Sequence, residues 1–172
     1  EALRLVHNTL VGVNLREQIR VGASGKIITA FDMARTLALG ADWCNAARGF
    51  MFAIGCIQSL SCHTNQCPTG VATQDPMRQR ALVVSDKAER VHNFHRNTLL
   101  ALSEMIAAAG LDHPSRLGPH HLVRRVSLTE IRLFSQLHIF LEKGELLGGN
   151  SDRDFYGAAW RLARADSFDM AT

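Results

Sequence analysis

The chain has 172 residues, 47 % of them hydrophobic and 20 % charged, an ordinary globular composition for one large domain or two small ones. Its net charge of +3 is too small and too scattered to indicate a nucleic-acid-binding protein. The sequence has no run of about 18 apolar residues, so it predicts no membrane-spanning helix. The chain begins inside a helical pattern and without a signal sequence, and we expect it to be a piece of a longer polypeptide.

Helices and strands are predicted to alternate in the first third of the chain, from the spacing of apolar residues and from small-residue breaks. The predicted elements are a helix over 2–16, a strand over 19–23, a helix over 29–39 with Thr29 as its N-cap and Gly40 at its end, a strand over 41–47 and a helix over 50–56. Such alternation favours parallel strands joined by helical crossovers, which is an α/β fold.

Two loops of small residues, Ser24-Gly25-Lys26 and Ala47-Arg48-Gly49, each follow a predicted strand and precede a helix. Exposed backbone N–H groups and the positive end of a helix can bind an anion at such a position. The alternative is that each loop is a plain turn with no bound anion. Lys26 and Arg48 either add charge to a phosphate site or form ion pairs at the surface.

Three of the four cysteines, Cys56, Cys62 and Cys67, lie within a dozen positions, and Pro68 follows the last of them. Thiolates are soft ligands for zinc or for an iron–sulfur cluster. The alternatives are ordinary buried cysteines, or a zinc site to which His63 contributes. Cys44 lies apart and is expected in the core. This crowding fits a reducing, cytoplasmic setting better than a disulfide framework.

In the second half of the chain, the spacing of apolar residues predicts mainly helices. The predictions are helical turns over 77–84, a long helix from Ser85 or Asp86 to Ala109 with Glu89 in a capping box, a helix from Ser127 or Thr129 to Leu137, a loose stretch over 144–150 and a last helix over 154–164. The long helix is expected to bury Val91, Phe94, Thr98, Ala101 or Leu102, Met105 and Ala109.

The cysteine segment resembles the cluster loop of glutamate synthases. That loop reads G-C, five residues, then C-H-x-N-x-C-P-x-G, and the stretch from Gly55 to Gly70 matches every fixed position. The residues from Gly40 to Gly55 also align without a gap. Gly25, Thr29 and Asp32 fall where the family has the loop and helix after its seventh barrel strand. The resemblance is strong over about residues 1–95.

The resemblance implies an α/β fold: residues 1–76 form the C-terminal portion of an FMN-binding (β/α)8 TIM barrel, its last two β/α units, and residues 77–172 form a mainly helical extension. It implies a [3Fe–4S] cluster held by Cys56, Cys62 and Cys67. It also implies an FMN phosphate on two loops, which consist of Ser24, Gly25, Lys26, Arg48, Gly49 and Phe50.

The implied reaction reduces 2-iminoglutarate, formed from 2-oxoglutarate and ammonia, to L-glutamate. The implied electron donor is a protein or an NADPH-linked subunit. No residue of the chain is assigned to catalysis, and we expect the piece alone to be inactive and prone to self-association or domain swapping. Two alternatives remain at this point: an FMN enzyme of the same fold with another amino-group substrate, and a non-catalytic zinc-binding or interaction module.

Overall fold

Helices and strands are mixed in the structure, a computed structural model that describes residues 1–148 and 154–169. The chain forms two compact units. The first comprises residues 1–22, residues 38–43 and the chain from Gly118 onward, and the second comprises residues 23–37 and 44–117. No helix of the described part is both long and apolar enough to cross a membrane.

The helices are α1 Ala2–Gly12, α2 Ala30–Ala38, α3 Arg48–Ala53, α4 Pro76–Gln79, α5 Val84–Ala108, α6 Phe134–Leu137 and α7 Asp154–Leu162. Short 3₁₀ turns lie at Cys62–Thr64, Pro114–Arg116, Pro119–His121 and Glu145–Gly148. The strands are β1 Gly22–Ser24, β2 Trp43–Asn45, β3 Val123–Arg125 and β4 Ile131–Leu133.

Strands β1 and β2 form a two-stranded sheet. At the strand starts, the Asp42 N–H donates to the Val21 carbonyl at 2.8 Å. At the strand ends, the Ser24 hydroxyl donates to the Asn45 carbonyl at 3.3 Å. The starts of the two strands lie side by side, and so do their ends, so the strands run parallel and α2 is the crossover between them. The alternation of elements in the sequence predicts this arrangement.

A reciprocal cap begins α2, and it confirms the prediction for Thr29. The Thr29 N–H donates to Asp32 Oδ2 at 3.0 Å, and the Asp32 N–H donates to Thr29 Oγ1 at 3.2 Å. Each side chain thus satisfies a backbone group of the other. Helix α1, in contrast, ends at Gly12, earlier than predicted, and Asn14 beyond it has the left-handed φ of 64°.

The core of the second unit lies between α2 and α5. Ala30 and Ala34 of α2 pack with Leu102 and Ile106 of α5, all of them buried. The predicted buried stripe on α5 is therefore wrong at its C-terminal end. Met105 is 37 % exposed and Ile106 takes its place, because the helix face that meets α2 is rotated by one residue.

The start of α5 also differs from the prediction. The helix begins at Val84 with Val83 as its N-cap, and no side chain caps it. The capping box expected at Glu89 is therefore wrong. Asp86 pairs instead with Lys87, whose ammonium nitrogen lies 2.9 Å from its carboxylate.

A β-hairpin occupies most of the stretch predicted as a helix from Ser127 or Thr129 to Leu137. Strands β3 and β4 pair antiparallel, with Arg124 opposite Arg132, and only α6 at Phe134–Leu137 is helical. Leu128 is 91 % exposed and Ile131 57 % exposed, so their helix-like spacing does not mark a buried face. The helix predicted over 154–164 is present as α7. Residues 149 and 150 of the stretch predicted to be loose lie outside the described residues.

Candidate functional site

The two segments predicted as strand-end loops follow neighbouring strands. Ser24–Lys26 leaves the end of β1, whereas the loop prediction is wrong for Arg48–Phe50, which is the first turn of α3. The Ser24 hydroxyl contacts Asn45 at the end of β2, three residues before Arg48. Lys26 and Arg48 are both exposed, and neither forms an ion pair with a carboxylate of the described residues. Both cations therefore remain available to an anion, and the surface ion pairs considered as the alternative are not formed there.

Asp32 already places a negative charge where α2 begins. Its carboxylate accepts the backbone N–H groups of Ile28 and Thr29 at 3.3 and 3.0 Å. These hydrogen bonds, that of Thr29 first, hold the pKa of Asp32 below its usual value although partial burial opposes them. An incoming phosphate would therefore have to use the loop before Ile28 and not these two N–H groups.

Gly49, in the first turn of α3, is buried and serves packing. A Cβ atom at this position would lie 2.8 Å from Cζ of Phe94, which is tighter than normal contact. The ring of Phe94 meets the ring of Phe50 edge to face, with centroids 5.2 Å apart. The absence of a side chain at Gly49 therefore lets α3 approach α5 closely. The family resemblance assigns Gly49 to phosphate binding, and its burial gives it a second role there.

The cysteine segment follows α3. Cys56 is half-buried, Cys62 is exposed at the start of a 3₁₀ turn, and Cys67 is buried. All three are free thiols. Within residues 1–148 and 154–169, no three His, Cys, Asp or Glu side chains lie close enough together to hold a metal ion. The segment thus offers three soft donors without gathering them into one site.

Cys67 has surroundings that favour its thiolate. Its sulfur lies 3.6 Å from the Thr69 hydroxyl. Hydrogen bonds from this hydroxyl and from the backbone N–H groups of Ala72, Thr69 and Val71 outweigh burial and lower the pKa of Cys67 to about 7. The thiolate is the form that binds metals, so this donor fits a metal–sulfur site.

Cys44 differs from Cys67 in its surroundings. It lines a cavity of about 80 Å³ together with apolar side chains that include Met33, Phe50 and Phe94. Burial raises the pKa of the Cys44 thiol. A thiol that resists ionisation is a poor metal donor. Cys44 is only partly buried, however, and its neighbours on β2 are exposed, so the expected place in the core is wrong.

Asn65 is a residue that the sequence analysis left without a role. It adopts a left-handed backbone conformation between Cys62 and Cys67, and its side-chain oxygen accepts hydrogen bonds from Thr73 and Gln74. Two signals pointed to it: Asn65 is a fixed position of the pattern C-H-x-N-x-C-P-x-G, and asparagine tolerates positive φ better than most residues.

Comparison with known proteins places these residues in a family. The family model described as a conserved region in glutamate synthase matches residues 1–112, which include both strand-end loops and the whole cysteine segment. The chain belongs to the glutamate synthase family.

Several glutamate synthases are similar to parts of the chain. The glutamate synthase large subunit-like protein YerD of Bacillus subtilis is 47 % identical over 124 residues, covering 72 % of this chain and 24 % of the relative. The archaeal glutamate synthase [NADPH] of Methanocaldococcus jannaschii is 33 % identical over 133 residues, covering 77 % of this chain and 26 % of the relative.

The ferredoxin-dependent glutamate synthase 2 of Synechocystis is 30 % identical over 133 residues, covering 77 % of this chain and 8 % of the relative. The chain thus spans at most about a quarter of the length of these three relatives.

Proposed function

We propose that the chain contributes the iron–sulfur loop and the FMN-phosphate loops of a glutamate-synthase-type oxidoreductase. In this proposal residues 1–76 are the last two β/α units of an FMN-binding (β/α)8 barrel, and residues 77–172 are its C-terminal extension. The substrate is 2-iminoglutarate, derived from 2-oxoglutarate and ammonia, and the product is L-glutamate. When bound, the [3Fe–4S] cluster and FMN supply the electron and hydride chemistry of this reduction.

The cysteine segment is the observation that carries the proposal. It lies inside the family match, its three thiols are free, and Cys67 has a pKa of about 7 beside hydrogen-bond donors. Hydrogen bonds to the sulfurs are among the features that tune protein-bound clusters. Cys56, Cys62 and Cys67 would hold the cluster. Because the described side chains do not converge, loading would have to draw the exposed Cys62 toward the buried Cys67.

The strand-end loops support the FMN part of the proposal. Exposed Lys26 and Arg48 have no ion-pair partner among the described carboxylates, and a phosphate is the anion that backbone N–H groups and basic side chains bind together. Gly25 would offer a backbone N–H, and Ser24 its hydroxyl once that group leaves the Asn45 carbonyl to which it donates at 3.3 Å. Gly49 and Phe50 would offer backbone N–H groups from the first turn of α3.

The electron donor in this proposal is a protein or an NADPH-linked subunit. The names of two relatives mention different donors, NADPH for the Methanocaldococcus protein and ferredoxin for the Synechocystis protein.

The test is anaerobic purification of the full-length protein, followed by iron and sulfide analysis and electron paramagnetic resonance. We expect brown protein with about three irons and the signal of an oxidised three-iron cluster. Cys62→Ser should lose the cluster, and the matched control Cys44→Ser should keep it, because Cys44 lies in an apolar cavity. Colourless wild-type protein that contains zinc would overturn the proposal in favour of a zinc-binding module.

A further inference from the structure

A turn at Asn65 lies between two of the proposed cluster ligands. Asn65 ends the 3₁₀ turn Cys62–Thr64 with φ 62° and ψ 12°, a left-handed conformation. Residues other than glycine rarely adopt it, and asparagine does so at the least cost. The backbone of Asn65 therefore sets how the chain leaves Cys62 and approaches Cys67.

The side chain of Asn65 ties this turn to a segment that follows it. Its Oδ1 accepts the Gln74 N–H at 2.6 Å and lies 2.9 Å from the Thr73 hydroxyl. The same hydroxyl lies 2.7 Å from the Asn65 carbonyl oxygen and accepts the Asp75 N–H at 3.1 Å. With a single proton, the Thr73 hydroxyl is shared between two oxygens of Asn65. We call this set of hydrogen bonds the Asn65 latch.

Helix α4 anchors the far side of the latch. Asp75 caps α4 by accepting the Met77 N–H at 2.8 Å. Gln79 Nε2 donates to the Thr73 carbonyl at 2.7 Å, so the first turn of α4 holds the residue that Asn65 binds. Arg78 reaches back to the Gln66 carbonyl at 3.4 Å. The turn carrying Cys62 and Cys67 is thus fastened at several points to one short helix.

We infer that Asn65 is a positioning residue for the cluster. Its left-handed backbone and its hydrogen bonds to Thr73 and Gln74 fix the chain between Cys62 and Cys67, so that loading the cluster requires movement of the exposed Cys62 side chain and not a rearrangement of the turn. This inference rests on the proposed function, because it concerns how the proposed ligands are arranged. Asn65 itself touches neither cluster nor substrate in this role.

The experiment separates the two contributions of Asn65. Asn65→Asp keeps an acceptor oxygen and a residue that tolerates the left-handed region. Asn65→Gly keeps the backbone conformation and loses the side-chain bonds, and Asn65→Ala loses both. Thr73→Val and Thr73→Ser form a second pair, in which only serine retains the hydroxyl. Asn97→Ala, at an exposed position of α5, is the control.

Three measurements are made on each variant of the protein. In the metal-free protein, NMR hydrogen exchange of the Gln74 amide should be about fivefold to tenfold faster in Asn65→Gly and Asn65→Ala, since the acceptor is gone. After reconstitution with iron and sulfide, the iron content should fall from wild type and Asn65→Asp through Asn65→Gly to Asn65→Ala. Thr73→Val should lose iron and Thr73→Ser should recover it. Urea unfolding identifies any variant that fails to fold.

The possible failures are distinguishable. If the wild-type protein binds no iron, the proposed function fails and the inference falls with it. If wild type binds the cluster and folded Asn65→Gly and Thr73→Val bind it equally well with unchanged spectra, the inference alone is overturned. Faster Gln74 exchange together with unchanged iron content also overturns it, because the latch would then order the turn without positioning the ligands.

Discussion

Arg16 organises a polar cluster in the first unit. Its guanidinium donates to His7 Nδ1 at 3.1 Å, to the Gly40 carbonyl at 2.9 Å and to the Asp42 carboxylate at 2.8 Å. Burial opposes ionisation of Asp42, yet hydrogen bonds from the Val21 N–H and from Arg16 hold its pKa below the usual value. Through these bonds Arg16 holds Gly40 and Asp42, which directly precede β2.

His7 makes this cluster sensitive to pH. Burial, and then the charge of Arg16, lowers the pKa of His7 from its ordinary value of 6.5. Below pH 6.5 the unfolded chain therefore takes up a proton on His7 before the folded chain does, and the free energy of unfolding should fall as the pH drops. His7→Gln keeps an acceptor for Arg16 and does not titrate, so its urea-unfolding curves should depend less on pH below 6.5.

The control for this change is His92→Gln, because His92 is exposed on α5. It should reproduce the wild-type pH dependence. Parallel curves for wild type and His7→Gln between pH 4.5 and 7 would show that His7 is not the group responsible.

At the scale of elements, α5 depends on a short apolar contact for its place in the second unit. Leu102 is 6 % exposed and packs with Ala30, Ala34 and Ile106, whereas Leu100 on the same helix is 53 % exposed. Leu102→Ala should lower the free energy of unfolding by about 2–5 kcal/mol, through lost burial and a cavity. Leu100→Ala should change it by less than about 1 kcal/mol. Equal effects of the two changes in chemical denaturation would contradict the assigned core.

An element could be predicted when the contacts that define it join residues close together in the sequence. The Thr29 cap of α2 is local, since Thr29 and Asp32 satisfy each other, and the cysteine spacing that led to the family is local as well. The hairpin could not be predicted in this way. The spacing of Leu128, Ile131 and Phe134 fits a helix, and only pairing with β3 makes Ile131–Leu133 a strand.

The candidate site shows the same limit. The three cysteine ligands and the two strand-end loops are predictions from motif and resemblance, and they remain so. The hydrogen bonds that lower the pKa of Cys67 and the contacts of Asn65 depend on the folded path of the chain between them. Residue identity alone does not determine that path, because turns are set by backbone angles as much as by side chains.

At the scale of the whole molecule, the parallel sheet is unusually small. Within the described residues β1 and β2 each have a single neighbour, so each has an unpaired outer edge. Parallel sheets are generally larger and covered on both faces. Large apolar side chains are also exposed in both units, including Leu60 at 81 % and Leu128 at 91 %. A chain that spans about a quarter of a relative such as YerD is expected to have such surfaces.

We therefore expect the 172-residue chain on its own to self-associate. Its apparent mass in analytical ultracentrifugation should rise with concentration over the micromolar range. Replacing Leu60 and Leu128 by serine should weaken the association without changing the helical circular dichroism signal, because both side chains are exposed. A mass of 19.0 kDa at every concentration would contradict this expectation.

The Asn65 latch also has a consequence for the order of events during protein synthesis. Its hydrogen bonds join residues only eight or nine positions apart, and the bond from Arg78 to Gln66 joins residues twelve apart. Loops of about ten residues close in roughly 10–100 ns. The turn around the cysteines can therefore take shape on the ribosome as soon as Gln79 has emerged, before α5 is complete.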